Sequence, residues 1–238
     1  MNPGPNPRGP YIDPALNPAE TGERVDSAMR NVYWWMTAGL AVTAIVAMAV
    51  FRSDALMQLL YENRWIIWGS FLVELGLVIG LTAAIKRLSN TAAMAMFMVY
   101  AALNGFTLSL IFMAYTAGSI AGTFVATAGT FGVMALYGTV TKRDLTGMGS
   151  FLFMGLIGLI IASVVNIFLA SPMLYWGITY LGILIFVGLT AYDVQKLRRL
   201  AAAGELDSEK MGIFGALILY LDFINLFLLL LRVMGDRR

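Results

Sequence analysis

The sequence predicts an all-α integral membrane protein, a bundle of seven transmembrane helices. Three observations predict it. Of 238 residues, 59% are hydrophobic and only 13% charged, against roughly 25% charged in an ordinary soluble domain. The apolar residues gather into seven runs, each near the ~20 residues a helix needs to cross ~30 Å of hydrocarbon. None of these runs alternates with period two as barrel strands do, and open backbone is not tolerated in lipid, so the spanning element is the helix.

Residues 1–31 come first and differ from all that follows. Six of the seven prolines lie there, among Asn, Glu, Asp and Arg, and the stretch reads as a disordered, Pro-rich cytoplasmic tail. It holds no apolar segment fit for a cleavable signal peptide, so the first span is expected to act as an uncleaved anchor. The spans then run approximately Val32–Phe51, Trp65–Ile85, Ala92–Tyr115, Gly118–Val140, Ser150–Leu169, Leu174–Asp193 and Met211–Leu231. Only Thr116 and Ala117 separate the third from the fourth. The domain reading is therefore a tail 1–31, a seven-helix transmembrane domain 32–232 and a short C-terminal tail 233–238.

Lys and Arg in short loops orient such a bundle. Eleven lie on the side of the N-terminus, among them Lys86, Arg87, Lys142, Arg143 and Lys196, and five lie on the other. That places the N-terminus in the cytoplasm. A re-entrant last segment would shift the score to fourteen against two, but its length favours a full span.

The glycines Gly76, Gly80, Gly118, Gly122, Gly155 and Gly158 sit at spacings that let helix backbones approach closely in lipid. Trp34, Trp35, Trp65, Trp68 and Trp176 fall near span ends and read as interface anchors. Met94, Met96 and Met98 read as space-filling side chains.

Absences exclude much chemistry. The chain has no His and no Cys. Ser–His and Cys catalysis, disulfides, haem ligation by either residue, iron–sulfur clusters and the usual Zn or Cu sites go with them. A retinal protein needs a Schiff-base Lys in its last span, and none follows Lys210. No nucleophile–base pair is visible, so the chain is not read as an enzyme and no cofactor is called for. A net charge of +2 with scattered bases does not describe a nucleic-acid binder.

The informative residues are acids inside spans, where a charge costs ~2.5–3.5 kcal/mol even on the lenient insertion scale. Glu74 lies within the second span, Asp193 closes the sixth and Asp222 stands near the middle of the seventh. Asn225 and Tyr220 lie within a turn of Asp222, and Thr190 and Lys196 share a face with Asp193. Asn104 and Asn166 read as interhelical glue. On the span boundaries above, Asp222 is about 16 Å from the inner end of its helix but Asp193 only about 5 Å from its own. The two meet only if the sixth helix is offset inward or the seventh begins later.

If they meet, they cannot both ionise cheaply in a low-dielectric site, and the pair holds a shared proton that hydroxide removes. Once charged, they repel each other and offer hard oxygen ligands suited to Ca²⁺. Two or three carboxylates are too few for tight storage, which suits a conduction path.

The segments Ala191-Tyr192-Asp193-Val194-Gln195 and Leu219-Tyr220-Leu221-Asp222-Phe223-Ile224-Asn225-Leu226-Phe227 resemble the Bax inhibitor-1 (transmembrane Bax-inhibitor motif) family, in its bacterial branch. The seven spans, the short loops and Glu74 match it as well. The resemblance implies a bundle whose last helix is central, and a pH-sensitive Ca²⁺ leak with Asp193 and Asp222 as the acid pair. Similar members carry an Arg at the inner end of the second span that competes for the pair. Here Ile85 occupies that place, so Lys86 or Arg87, next in sequence, is the candidate latch base, reaching inward by snorkelling. The connection around Gly204-Glu205-Leu206-Asp207 is long for the family.

The reading is thus a passive leak for Ca²⁺ or other cations through the cytoplasmic membrane, gated by protonation. Its partners are the lipid bilayer, the permeating cations and protons, with Glu74 also on the pathway. One rival is a proton- or cation-coupled carrier using the same acids, which would show saturable, coupled uptake of a second solute. Another is a regulatory protein that binds other membrane proteins through its glycine faces, which would tolerate Asp→Asn changes and fail on Gly→Leu.

Overall fold

The computed structural model describes residues 18–237. Among them lie the helices α1 (Pro18–Phe51), α2 (Asp54–Glu62), α3 (Arg64–Ala84), α4 (Asn90–Leu108), α5 (Ile111–Ala114), α6 (Ala117–Val140), α7 (Thr146–Leu169), α8 (Pro172–Ala203) and α9 (Ser208–Met234). Seven segments are long and apolar enough to cross a membrane, with α4 and α5 together forming the third. The fold class is therefore as the hydropathy predicts.

The breaks between helices follow local chemistry. Ser89, Thr116, Ser171 and Asp207 each accept a backbone N–H from the first turn of the helix they precede, the role short polar side chains take at N-caps. The narrow gap between the third and fourth spans is closed in this way, by Thr116 Oγ1 accepting from Ser119 N. Helix α8 stops at Gly204, whose φ of 68° is the left-handed conformation usual just past a helix end. Helix α2 was not expected. It is a short piece capped by Ser53, burying Leu60 and exposing Leu56, Leu59 and Tyr61.

Residues 1–17 of the expected tail lie outside the described residues. Residues 18–31 are not disordered as read from composition, because α1 starts at Pro18. The reason is an apolar stripe set among the polar residues. Val25, Ala28, Met29 and Val32 stand at i, i+3, i+4 and i+7, and all are buried, the pattern of one helical face. Arg24 donates to the Ala202 carbonyl and Asn31 Nδ2 to Ser208 Oγ (3.0 Å), fixing this extension to the α8–α9 connection.

The sixth span, likewise, does not end at Asp193. Helix α8 continues to Ala203, with Leu197 and Ala201 buried and its polar side bonded to the α6–α7 connection. There Gln195 accepts from Leu145 N (3.0 Å) and donates to the Arg143 carbonyl (2.9 Å). Arg199 reaches Asp144 Oδ1 (2.6 Å) and Thr146 Oγ1 (2.7 Å). Hydrogen bonds from Thr146 and Arg199 hold the Asp144 carboxyl well below the usual carboxylate range.

Alternation of the spans puts the start of α1 and the α3–α4, α6–α7 and α8–α9 connections at one end, the basic end. The end of α9 lies at the other. There the Thr116 N–H donates to the Asp236 carbonyl (3.1 Å) and Asp236 N to Ser119 Oγ (2.9 Å). The last segment therefore runs the full length of the bundle and is not re-entrant.

Helix α9 packs against α1, α4, α6 and α8. Of its most apolar stretch 67% is buried, against none of that of α7. The glycines that permit this packing are not those the spacing singled out. Gly76, Gly118, Gly122 and Gly158 have nothing within 4 Å of where a side chain would begin, while Gly80 and Gly155 meet only flexible side-chain ends. Close approaches occur instead at Gly105 against the Thr43 carbonyl, Gly138 against the Ala191 carbonyl, Gly149 against the Tyr192 ring and Gly215 against Val32. Glycine spacing marks a face but does not say whether it looks at lipid or at a neighbour.

Candidate functional site

Asp222 belongs to the buried side of α9 and is only 5% exposed. Asp193 is half-buried on α8, and the two carboxyls lie within hydrogen-bonding reach of each other. The extension of α8 past its expected end brings the two acids closer in depth. With α8 extended to Ala203 and α9 begun at Ser208, both acids stand well inside helices that turn back on each other through the short 204–207 connection. Asp193 then lies about 15 Å from the inner end of its helix and Asp222 about 21 Å from its own, so the difference in depth falls to about 6 Å.

The pair receives little else. Asp222 Oδ2 is buried with no N–H or O–H donor from the described residues. Its neighbour is another acceptor, and a proton held between the carboxyls would satisfy both. The base whose charge acts on Asp193 is Lys196, one turn along α8 and exposed. Its ammonium lies 5.8 Å from the centre of the Tyr192 ring.

The expected latch bases are elsewhere. Lys86 Nζ is paired with Glu205 Oε2 at 2.9 Å, both groups more than half exposed, and this contact lowers the Glu205 carboxyl from its usual range. Arg87 is exposed beside it. Lys86 thus ties the α3–α4 connection to the α8–α9 connection, and Ile85 is buried in the core. Lys196 could have been read from the sequence, since it shares a face with Asp193 and sits nearer the pair.

Glu74 is not part of the pair either. Its Oε1 accepts from Thr107 Oγ1 (3.0 Å) and its Oε2 from Asn104 Nδ2 (3.3 Å). The Tyr220 hydroxyl donates to Asn104 Oδ1 (3.2 Å) and lies 2.6 Å from Thr43 Oγ1. One polar chain thus pins α1, α3, α4 and α9 together, on the side of α9 away from Asp222. Tyr220, two residues before Asp222, points into this chain and not at the acid pair. Asn225 Nδ2 donates to the Leu221 carbonyl of its own helix (2.8 Å), and Thr190 Oγ1 to the Phe186 carbonyl (2.8 Å). Neither touches the acids. Of the two expected asparagines, Asn104 does join helices. Asn166 accepts instead from Ser171 N (3.0 Å) at the α7–α8 turn.

Aromatic rings cluster around the residue next to Asp222. A crevice of about 410 Å³ between α1 and α6 ends on Phe223, the residue after Asp222. Phe223 meets Phe124 and Phe131 edge-on, at centroid distances of 5.2 and 5.6 Å.

Fold and site define a polytopic helical membrane protein with a carboxyl pair buried between its last two helices. The model of the Bax inhibitor-1 family, described as "Inhibitor of apoptosis-promoting Bax1", matches residues 25–238, and the chain belongs to this family. It is 53% identical over 216 residues to "Inner membrane protein YbhL" of Escherichia coli (strain K12), covering 88% of this chain and 92% of that one. An uncharacterized protein of Borreliella burgdorferi is 45% identical over 213 residues, covering 88% and 92%. Another, from Deinococcus radiodurans, is 41% identical over 225 residues, covering 94% and 96%.

Proposed function

We propose that the chain is a passive leak for Ca²⁺ and other cations in the bacterial inner membrane, opened when the Asp193–Asp222 pair loses its shared proton. One observation carries the reading: two carboxyls from neighbouring helices face each other inside the bundle with almost no other partner. With one proton between them the pair is a bond that joins α8 to α9. Without it, two negative charges oppose each other in a low-dielectric site. Their repulsion parts the helices, and the freed oxygens draw in a hard cation. Among the described residues no third acidic side chain joins the pair, so a bound cation is held weakly and moves on.

The excess of Lys and Arg at the basic end orients that end to the cytoplasm, and the name of the Escherichia coli relative supports the inner membrane. The pair then answers to cytoplasmic pH, with Lys196 as the competing cation. Glu74 is assigned to holding the bundle together rather than to the pathway. Catalysis has no part in this reading.

The test is Ca²⁺ efflux from liposomes containing the purified chain. Flux is expected to rise as pH rises through neutrality, since the open form is the deprotonated one. Asp193→Asn and Asp222→Asn each remove a titrating group and are expected to give flux that no longer responds to pH. An unchanged pH response in both variants would refute the gate. Saturable uptake driven by a second solute would favour a coupled carrier instead.

A further inference from the structure

The end of the molecule opposite the basic end holds a cleft of about 630 Å³ that the leak does not use. Asn166, Ser171, Tyr175, Trp176, Arg232 and Arg237 supply its polar and aromatic walls. Two guanidiniums converge there on one tyrosine. Arg232 lies over the Tyr175 ring, 5.3 Å from its centre, and Arg237 Nη2 reaches the Tyr175 hydroxyl at 3.4 Å. Among the described residues no carboxylate pairs with either base. Asp236, the nearest acid in sequence, is engaged by Ser119 of α6. The first turn of α8 forms another wall and adds the positive end of a long helix.

The rim of this cleft is apolar. Phe168, Leu169 and Met173 are exposed around it, and Trp176 stacks on Tyr180 at 5.8 Å between centroids, the kind of pair that settles at headgroup depth. A basic cup above an apolar rim matches a molecule with an anionic head and hydrocarbon chains.

We propose that this cleft binds the phosphodiester of a net-anionic phospholipid, taken between Arg232 and Arg237, with its acyl chains lying along the exposed α7–α8 hairpin. Two positive charges without a carboxylate favour a lipid with net negative charge over a zwitterionic one. Arginine suits the task because its planar fork bonds two phosphate oxygens at once. The proposal is independent of the acid pair, since none of these residues touches it.

The full-length chain is presented with equal amounts of phosphatidylglycerol and phosphatidylcholine, and retained lipid is measured by native mass spectrometry. Phosphatidylglycerol is expected to be retained in preference. Arg237→Gln, in the tail beyond α9, should weaken that retention roughly fivefold, and Arg232→Gln with Arg237→Gln roughly thirtyfold. The exposed Arg52 and Arg64 at the same end serve as controls, and their Gln variants should retain the lipid like the parent. Thermal melting with inorganic phosphate separates a lipid site from a simple anion site, and free phosphate should give much less protection than phosphatidylglycerol. Equal retention of the two lipids, full retention by the Gln variants, or equal protection by free phosphate would overturn the assignment.

Discussion

Replacing Gly138 by alanine is expected to destabilise the bundle more than any other single-methyl addition at a glycine of α6. A Cβ there would run into the Ala191 carbonyl oxygen and stand 3.0 Å from its Cα. These are backbone atoms of a paired helix, so no side chain can rotate away, and α6 and α8 must move apart. Overpacking of a well-fitted core costs about 1–3 kcal/mol, and a clash against backbone belongs at the upper end of that range. At roughly 2–4 °C per kcal/mol for a chain of this size, melting in detergent should fall by roughly 6–12 °C. Gly132→Ala on the same helix has nothing within 4 Å and should change stability by less than about 1 kcal/mol, with a stabilising sign. Because Ala191 is two residues from Asp193, Gly138→Ala should also disturb the pH response of Ca²⁺ flux in whatever protein remains folded. Equal melting temperatures for the two variants would contradict the α6–α8 contact.

The second large effect is expected at Tyr220. Its ring is fully buried and meets Phe97 edge-on at 5.9 Å and Tyr100 at 5.5 Å. Its hydroxyl closes the polar chain from Thr43 to Glu74. Tyr220→Ala empties a ring-sized volume and should cost about 3–5 kcal/mol. Tyr220→Phe keeps the ring but leaves Asn104 Oδ1 and Thr43 Oγ1 without that partner, at about 1–3 kcal/mol. Melting temperatures should therefore fall in the order parent, Phe, Ala. Neither variant should abolish the pH dependence of flux, because the chain through Glu74 and the Asp193–Asp222 pair are separate. Loss of that dependence in Tyr220→Phe would join the two networks and contradict their separation.

The sequence made the spans legible because lipid imposes a length and a composition on them that no other constraint disguises. It also pointed at Asp193 and Asp222, since an acid in hydrocarbon is conspicuous whatever surrounds it. What hydropathy hid was helix beyond the membrane. The stripe Val25, Ala28, Met29 and Val32, and the stretch after Asp193, are helical for reasons of packing against protein, and their polar residues mask them from an apolar count. Ending the sixth helix at Asp193 exaggerates the difference in depth between the two acids. Residue type and closeness in sequence group Glu74 and Tyr220 with the pair. Yet Tyr220 and Asp222 are two apart on a helix and so face different neighbours. Analogy with relatives points to Lys86 and Arg87 for the basic latch, whereas the base whose charge acts on Asp193 is Lys196 of its own helix. The close-packed glycines could not be told from the lipid-facing ones, because their spacing is the same on both faces.

The central claim is that Asp193 and Asp222 hold one proton between them. Infrared difference spectroscopy of the purified chain reads it most directly, through the C=O stretch of a protonated carboxyl, in a Glu74→Gln background that removes the other buried acid. The account predicts a single such band that fades as pH is raised and is altered or lost in both Asp193→Asn and Asp222→Asn. A band that survives unchanged in either variant, or no protonated carboxyl at any pH where the chain is folded, would contradict it.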